Sequence, residues 1–354
     1  MKTETIKIDP QYPDLNQIAY CAKAIRKGGL VIFPTETVYG IAADFSNPQA
    51  MKRLRDVKRR NEEKPFSILI SQIALISNYT YMTDPKLFKL IDACWPGPLT
   101  VVVSSKEEGK TIGVRMPDHP IALRLVQDAQ CTIAAPSANM EGKEPPTTCA
   151  EALRDLNGLV DIAIDGGPAR IGTSSSVIDM TKGAPEVLRG GAITQQDAER
   201  IINKKTVLFI CTGNSCRSVM AEYLLKSVLH GREDVEVLSA GTSVFLQSAA
   251  SSETISVLAE EGINAAGHLA RPMNTILLKK ADLIIVMTRG HRNQVLERVP
   301  EVEKRVYLLK EFIDRVPGGE ENIDVPDPIG KPRYLYKECL KEIKEAIHKI
   351  QGLV

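Results

Sequence analysis

Residues 207–225 read VLFICTGNSCRSVMAEYLL. Four apolar residues, 207–210, form a run with the character of a buried strand. They deliver Cys211 to a small polar loop that holds Thr212, Gly213, Asn214, Ser215 and Cys216. Arg217 follows, and Ser218 opens a helical pattern that continues to Leu229. In a strand–loop–helix order of this kind, the N–H groups of the loop and of the helix N-terminus converge on one point and favour an anion there. Gly213 offers a residue free to take a positive φ. Arg217 offers a planar fork for two phosphate oxygens. The same field favours the thiolate of Cys211, which is the nucleophilic form.

A thiolate that attacks phosphorus needs a proton donor for the leaving group. The segment IDVPDPIG, 323–330, supplies a candidate in Asp327. Pro326 and Pro328 exclude helix around it and limit where its carboxyl can point.

The rest of the chain sets the frame. Its 354 residues are 43% apolar and 25% charged, with a formal net charge of +1. That composition fits a soluble globular protein of about two domains. Up to Asn203 there are 24 basic and 24 acidic side chains, so neither half is a basic arm or an acidic tail. Basic character is local, at Lys52, Arg53, Arg55, Lys58, Arg59 and Arg60. The seven cysteines are scattered and odd in number, which points to a reducing, cytoplasmic setting rather than a disulfide framework. No pair of Cys or His has structural-zinc spacing. No signal-peptide pattern and no apolar run long enough for a membrane span is seen, so no membrane partner is expected.

Short apolar runs at 30–33, 99–103, 206–210 and 282–287 alternate with helical patterns at 15–27 and 218–229. This is the signature of α/β or α+β domains. At the far end Tyr336, Leu340, Ile343, Ile347 and Ile350 recur as one stripe of a closing amphipathic helix. A seam is expected after Gly190 and Gly191. It gives a first domain at 1–195, a linker at 196–204 and a second domain at 205–354.

From about Thr206 onward the chain resembles low-molecular-weight protein-tyrosine phosphatases and their protein-arginine-phosphatase relatives. The motif CTGNSCRS carries the resemblance. It implies a doubly wound parallel sheet and no cofactor. It makes Cys211 the nucleophile, Arg217 the phosphoryl ligand and Asp327 the general acid. Thr212, Gly213, Asn214, Ser215 and Cys216 form the phosphate loop, Ser218 bonds the thiolate and Ser239 braces Asn214. Cys216 matches a cysteine that can trap Cys211 as a disulfide. The chain departs from the pattern at Val219, where proline is usual. Small, polar Ser215 and the Ile329–Gly330 pair after Asp327-Pro328 lean toward phosphoarginine over phosphotyrosine in phosphorylated proteins. An arsenate-reductase relay would need further cysteines, and none lies between Cys216 and Cys339.

Before the seam lie FPTETVYG (33–40), VKRRNEEKPFSIL (57–69), TIGVRMPDHP (111–120), APSANMEGKEPPT (135–147), IGTSSSVID (171–179) and VLRGG (187–191). Singly they are weak: a basic run is usually a solvated helix face. Jointly they offer hydroxyls and cations without an acidic metal cage, which suits a polyphosphate that brings its own Mg²⁺. Together they resemble the YrdC-like L-threonylcarbamoyladenylate synthases, an α+β fold with a large twisted sheet. The resemblance implies that Thr35, Arg115, Ser137 and Ser175 contact L-threonine. It assigns Lys58, Arg60, Lys64, Thr111, Asn139, Thr147 and Arg189 to ATP. The implied reaction joins threonine, bicarbonate and ATP, with Mg²⁺, into threonylcarbamoyl-AMP. A separate threonylcarbamoyl transferase complex would pass that group to tRNA. Lys64 and Leu69 replace the Asn and His of many members. The expectation is therefore a bifunctional enzyme. The alternative is a phosphatase fused to an RNA- or nucleotide-binding module.

Overall fold

The computed structural model describes residues 2–61, 65–313 and 323–354. The chain divides into two compact units, Met1–Met82 with Leu90–Arg200, and Thr83–Lys89 with Ile201–Val354.

The first unit is built on a mixed sheet of ten strands among the described residues. They are β1 (Glu4–Lys7), β2 (Val31–Phe33), β3 (Gly40–Asp44), β4 (Ile68–Leu69), β5 (Leu99–Ser104), β6 (Thr111–Arg115), β7 (Ile133–Ala134), β8 (Ile162–Asp165), β9 (Ser176–Asp179) and β10 (Glu186–Arg189). Their spatial order is β1-β8-β2-β3-β7-β4-β6-β5-β9-β10. Helices α1 (Leu15–Arg26), α2 (Pro48–Lys58), α4 (Pro120–Ala129) and α5 (Cys149–Leu156) intervene, and α3 (Pro85–Cys94) runs from the 83–89 segment of the second unit into the first. Side chains alternate across the sheet, as strand geometry requires. Val31, Phe33, Ile162 and Ile164 pack with α1 and α4. Leu30, Ile32, Ile41 and Ala163 pack with α2 and α5.

The stretch 196–204, expected as a linker, is largely helical, in α6 (Gln195–Asn203). Its start is reciprocal: the Asp197 carboxylate accepts from the N–H and hydroxyl of Thr194, and the Asp197 N–H donates back to that hydroxyl. Ala198 and Ile202 bury its apolar side.

Among the described residues the second unit has four parallel strands in the order β12-β11-β13-β14. They are β11 (Lys205–Cys211), β12 (Val235–Gly241), β13 (Leu283–Val286) and β14 (Val306–Leu308). Helices α7 (Arg217–Val228), α8 (Ser252–Glu260), α9 (Thr275–Lys280), α10 (Arg289–Arg298) and α11 (Arg333–Ile350) cover them. Val207, Phe209 and Cys211 face α7 and α11; Leu208 and Ile210 face α9 and α10. The expected stripe of α11 is wholly buried, from Tyr336 to Ile350. Cys211 thus ends a central strand at the carboxyl edge of a doubly covered parallel sheet, where such folds place their ligands. Among the described residues, no helix is long and apolar enough to cross a membrane.

Candidate active sites

In the second unit the chain turns sharply after β11. The left-handed residue of this turn is Asn214, at φ 50°; Gly213, expected to take that role, is not in the left-handed region. Asn214 tolerates the conformation because its side chain is fully engaged. Its Nδ2 donates to Ser218 Oγ at 3.0 Å and to Ser239 Oγ at 2.7 Å, and its Oδ1 accepts the Arg271 N–H at 2.9 Å. Ser239 in turn donates to the buried Glu222 carboxylate. The loop also leans on Gly241, the Cα partner of Cys211 across the sheet. A Cβ there would lie 2.6 Å from Thr212 O and 2.9 Å from Asn214 N, so only glycine fits.

Cys211 is 3% exposed, and its Sγ lies 2.9 Å from Ser218 Oγ. Arg217, at the first position of α7, donates through Nη1 to Val325 O at 3.1 Å and through Nη2 to Asp327 Oδ2 at 2.5 Å. Among the described residues its buried Nε has no partner. A buried guanidinium N–H left open costs free energy unless an acceptor arrives, a need an oxyanion would meet. Asp327 is 40% exposed at the rim. Ser215 is half-buried, its Oγ 3.7 Å from Cys216 Sγ, which also faces Ser251 Oγ at 3.4 Å. Cys211 and Cys216 are both free thiols. Thr212 reaches His291, whose Nε2 is 2.9 Å from its hydroxyl.

In the first unit a cleft of about 310 Å³ opens among β4, β5, β6, β9 and β10. Arg60, Thr111, Arg115, Ser137, Ser175 and Arg189 line it, together with Thr100 and Ser174, which the sequence reading did not name. Burial lowers the pKa of Arg189, and the nearby charges of Arg115 and Arg60 lower it further. Burial lowers that of Arg60 as well. Three crowded cations in one hydroxyl-lined cleft make an anion site.

Arg115 is anchored by a buried carboxylate absent from the sequence-derived set. Its Nη2 donates to Glu36 Oε1 at 2.7 Å and Thr37 Oγ1 at 2.8 Å, and its Nε donates to Gly97 O at 3.3 Å. Arg189 donates to Ser175 O and Oγ, and Ser175 Oγ is 3.0 Å from Thr100 Oγ1.

Four of the residues expected as ligands do not line this cleft. Thr35 is turned into its own loop, its hydroxyl bonding Val38 O at 2.6 Å. Lys58 was expected to face phosphates beside Arg60. Its ammonium instead holds Ser137 O at 2.7 Å, Asn139 O at 2.6 Å and Asn139 Oδ1 at 3.0 Å. These acceptors outcompete the cleft because Lys58 is the last, buried residue of α2 and points at the 137–139 loop. Burial, with Arg60 adding, lowers its pKa to about 8. Asn139 and Thr147 line a second cavity of about 650 Å³ with Lys143, Glu151 and Arg154. Lys64 lies outside the described residues.

Residues 23–191 match the Sua5/YciO/YrdC family model, described as telomere recombination. Residues 206–352 match the low molecular weight phosphotyrosine protein phosphatase model. The threonylcarbamoyl-AMP synthase of Bacillus subtilis is 37% identical over 195 residues, covering 52% of this chain and 56% of that protein. The putative threonylcarbamoyl-AMP synthase of Methanocaldococcus jannaschii is 33% identical over 189 residues, covering 52% of this chain and 89% of that one. A solved structure of Pyrococcus abyssi Sua5 complexed with L-threonine superposes with a TM-score of 0.54 at 25% identity, over 86% of this chain and 99% of that one. The chain spans little more than half the length of the first of these relatives.

Proposed function

We propose, for a chain that belongs to the Sua5/YciO/YrdC family through its first unit and carries a low-molecular-weight phosphatase domain in its second, that each unit is an enzyme. The first unit makes threonylcarbamoyl-AMP from L-threonine, bicarbonate and ATP, with Mg²⁺ arriving on the nucleotide. The observation that carries this reading is the convergence of Arg60, Arg115 and Arg189 on one hydroxyl-lined cleft. No protein nucleophile is required. The threonine amine adds to the bicarbonate carbon with loss of water, and the resulting carbamate oxygen displaces pyrophosphate from the α-phosphorus. The side chains position the reactants and offset developing negative charge. Arg115, Ser137 and Ser175 suit the amino acid; Arg60, Thr111 and Arg189 suit the phosphates. Lys58 acts through the 137–139 loop. The product serves a separate transferase that modifies tRNA. Pyrophosphate release that requires both threonine and bicarbonate tests this reading; ATP binding without such release would leave a nucleotide-binding module.

The second unit hydrolyses phosphorylated proteins. The Cys211 thiolate, steadied by the Ser218 hydroxyl, attacks phosphorus while Arg217 and the loop N–H groups hold the equatorial oxygens. Asp327 protonates the leaving group and then takes a proton from the water that cleaves the cysteinyl phosphate. Arrival of the phosphoryl group competes with Asp327 for Arg217 and frees the carboxyl for this work. Phosphoarginine is favoured over phosphotyrosine because Ser215 leaves polar room in the cradle. Matched phosphoarginine and phosphotyrosine substrates, with Cys211→Ser as the blank, test that preference. We place the seam within 196–204, in the compartment where both substrates occur, the cytoplasm.

A further inference from the structure

We propose that His291 is a positioning residue of the second site, tying Thr212 to the N-terminal cap of α10 and so fixing the cradle for an oxyanion. The proposal rests on the phosphatase reading of that site. His291 is 5% exposed, and both ring nitrogens are engaged. Nε2 lies 2.9 Å from the hydroxyl of Thr212, the residue that follows the nucleophile. Nδ1 lies 2.9 Å from the hydroxyl of Thr288, which also accepts the His291 backbone N–H at 3.2 Å and caps α10.

Both contacts are met by a neutral ring. A neutral imidazole has one N–H and one lone pair, so it meets one hydroxyl as donor and the other as acceptor. Burial and the Arg217 charge push the pKa of His291 down to about 4, against the opposing pull of Asp327 and Asp324. The ring therefore connects the two threonines without adding charge beside Arg217.

Thr212 is an exposed loop residue, and loops of this kind need a second anchor to hold one conformation. Its carbonyl is fixed by the Ser243 N–H at 2.9 Å, and the Cys211 carbonyl by the Thr242 N–H at 2.9 Å. His291 supplies the side-chain anchor on the opposite flank. With it, the N–H groups of 212–216 keep one orientation toward an oxyanion, so less ordering remains when the anion binds. A buried histidine is often only a packed and satisfied one. Here its partner is a cradle residue, and its charged neighbours are the arginine and aspartate of the reaction.

The test uses the full chain, with Thr212→Val, His291→Ala and the double variant. Two quantities are read: affinity for inorganic phosphate by titration calorimetry, and kcat/KM for p-nitrophenyl phosphate. Each single change should weaken phosphate binding and lower kcat/KM by about three- to tenfold, in the lower part of the range of coupling between neighbours in contact. The double variant should be no worse than His291→Ala alone, and Thr212→Ser and His291→Gln should restore part of the loss. Singles within twofold of the parent, or losses that multiply in the double variant, overturn the proposal. If His291→Ala does not fold, Thr212→Val against Thr212→Ser decides, because it removes one surface hydroxyl. Phosphate affinity needs no turnover, so a chain without hydrolysis would sink the phosphatase reading while this proposal is still scored.

Discussion

The two sites are assembled in opposite ways. In the second unit one strand, one loop and one helix turn carry nearly everything, from Cys211 to Ser218, with Ser239 and Asp327 brought in from outside. In the first unit the cleft gathers Arg60, Thr111, Arg115, Ser137, Ser175 and Arg189 from several stretches that are distant in sequence. Sheet register brings β5, β6, β9 and β10 together: Thr100 pairs with Arg115, Leu99 with Ser176, and Arg189 with Val177. A locally built site concentrates its chemistry in a few indispensable atoms. A site built by register spreads its work over several cations, so loss of one is felt less.

The largest difference should appear at the nucleophile. Cys211→Ser should cut phosphatase turnover by on the order of 10⁴-fold or more, as loss of a nucleophile does elsewhere. A serine hydroxyl is a far poorer nucleophile toward phosphorus than the cysteine sulfur the mechanism uses. Retention of most activity in steady-state assays would end the covalent mechanism.

A single cation of the cleft should matter less. Arg115→Ala removes one charge-assisted contact to substrate, typically about 1.5–3 kcal/mol, or roughly 10- to 150-fold in synthase kcat/KM. It also leaves Glu36 buried without its partner, so the melting temperature belongs in the same experiment. Phosphatase turnover should not change. A synthase loss as complete as that of Cys211→Ser would make the two sites alike after all.

Specificity within the cradle should respond on a smaller scale. Ser215→Ile should shift the kcat/KM ratio from phosphoarginine toward phosphotyrosine by about 1–3 kcal/mol. The bulky side chain removes polar room and offers an apolar wall to a phenyl ring. An unchanged ratio would remove Ser215 as selector.

How much of this was legible in the sequence follows from the same contrast. The cradle could be read because its residues are neighbours in the chain, so strand, loop and helix announce themselves together. Even there the left-handed residue was misplaced: glycine's freedom pointed to Gly213, while the hydrogen bonds of a buried Asn214 carry the strain. Gly241 and His291 gave no local signal, because each meets the loop through folding alone. In the first unit the residue types were legible and their aim was not. Lys58 and Arg60 are two apart, yet one anchors a loop and the other lines the cleft. Glu36 stood inside a quoted motif, but nothing in 33–40 reveals that Arg115 pairs with it.

The smallest effect concerns Lys58. Burial pushes its pKa down to about 8, against about 10.4 for an unperturbed lysine. Between these values the unfolded chain binds more protons, so this group's contribution makes stability rise with pH. Denaturant titrations of the parent and of Lys58→Met across that window should differ by such a slope. Parallel curves would mean that the loop acceptors hold the ammonium in its ordinary range.

Product identification with carbon-13 bicarbonate tests most directly whether the dispersed cleft is an enzyme in its own right. The full chain, given ATP, Mg²⁺, L-threonine and labelled bicarbonate, should form an AMP-linked product that contains both threonine and the labelled carbon, and omission of either should abolish it. A mass spectrum showing only ATP and AMP, or a product without the label, would contradict the account.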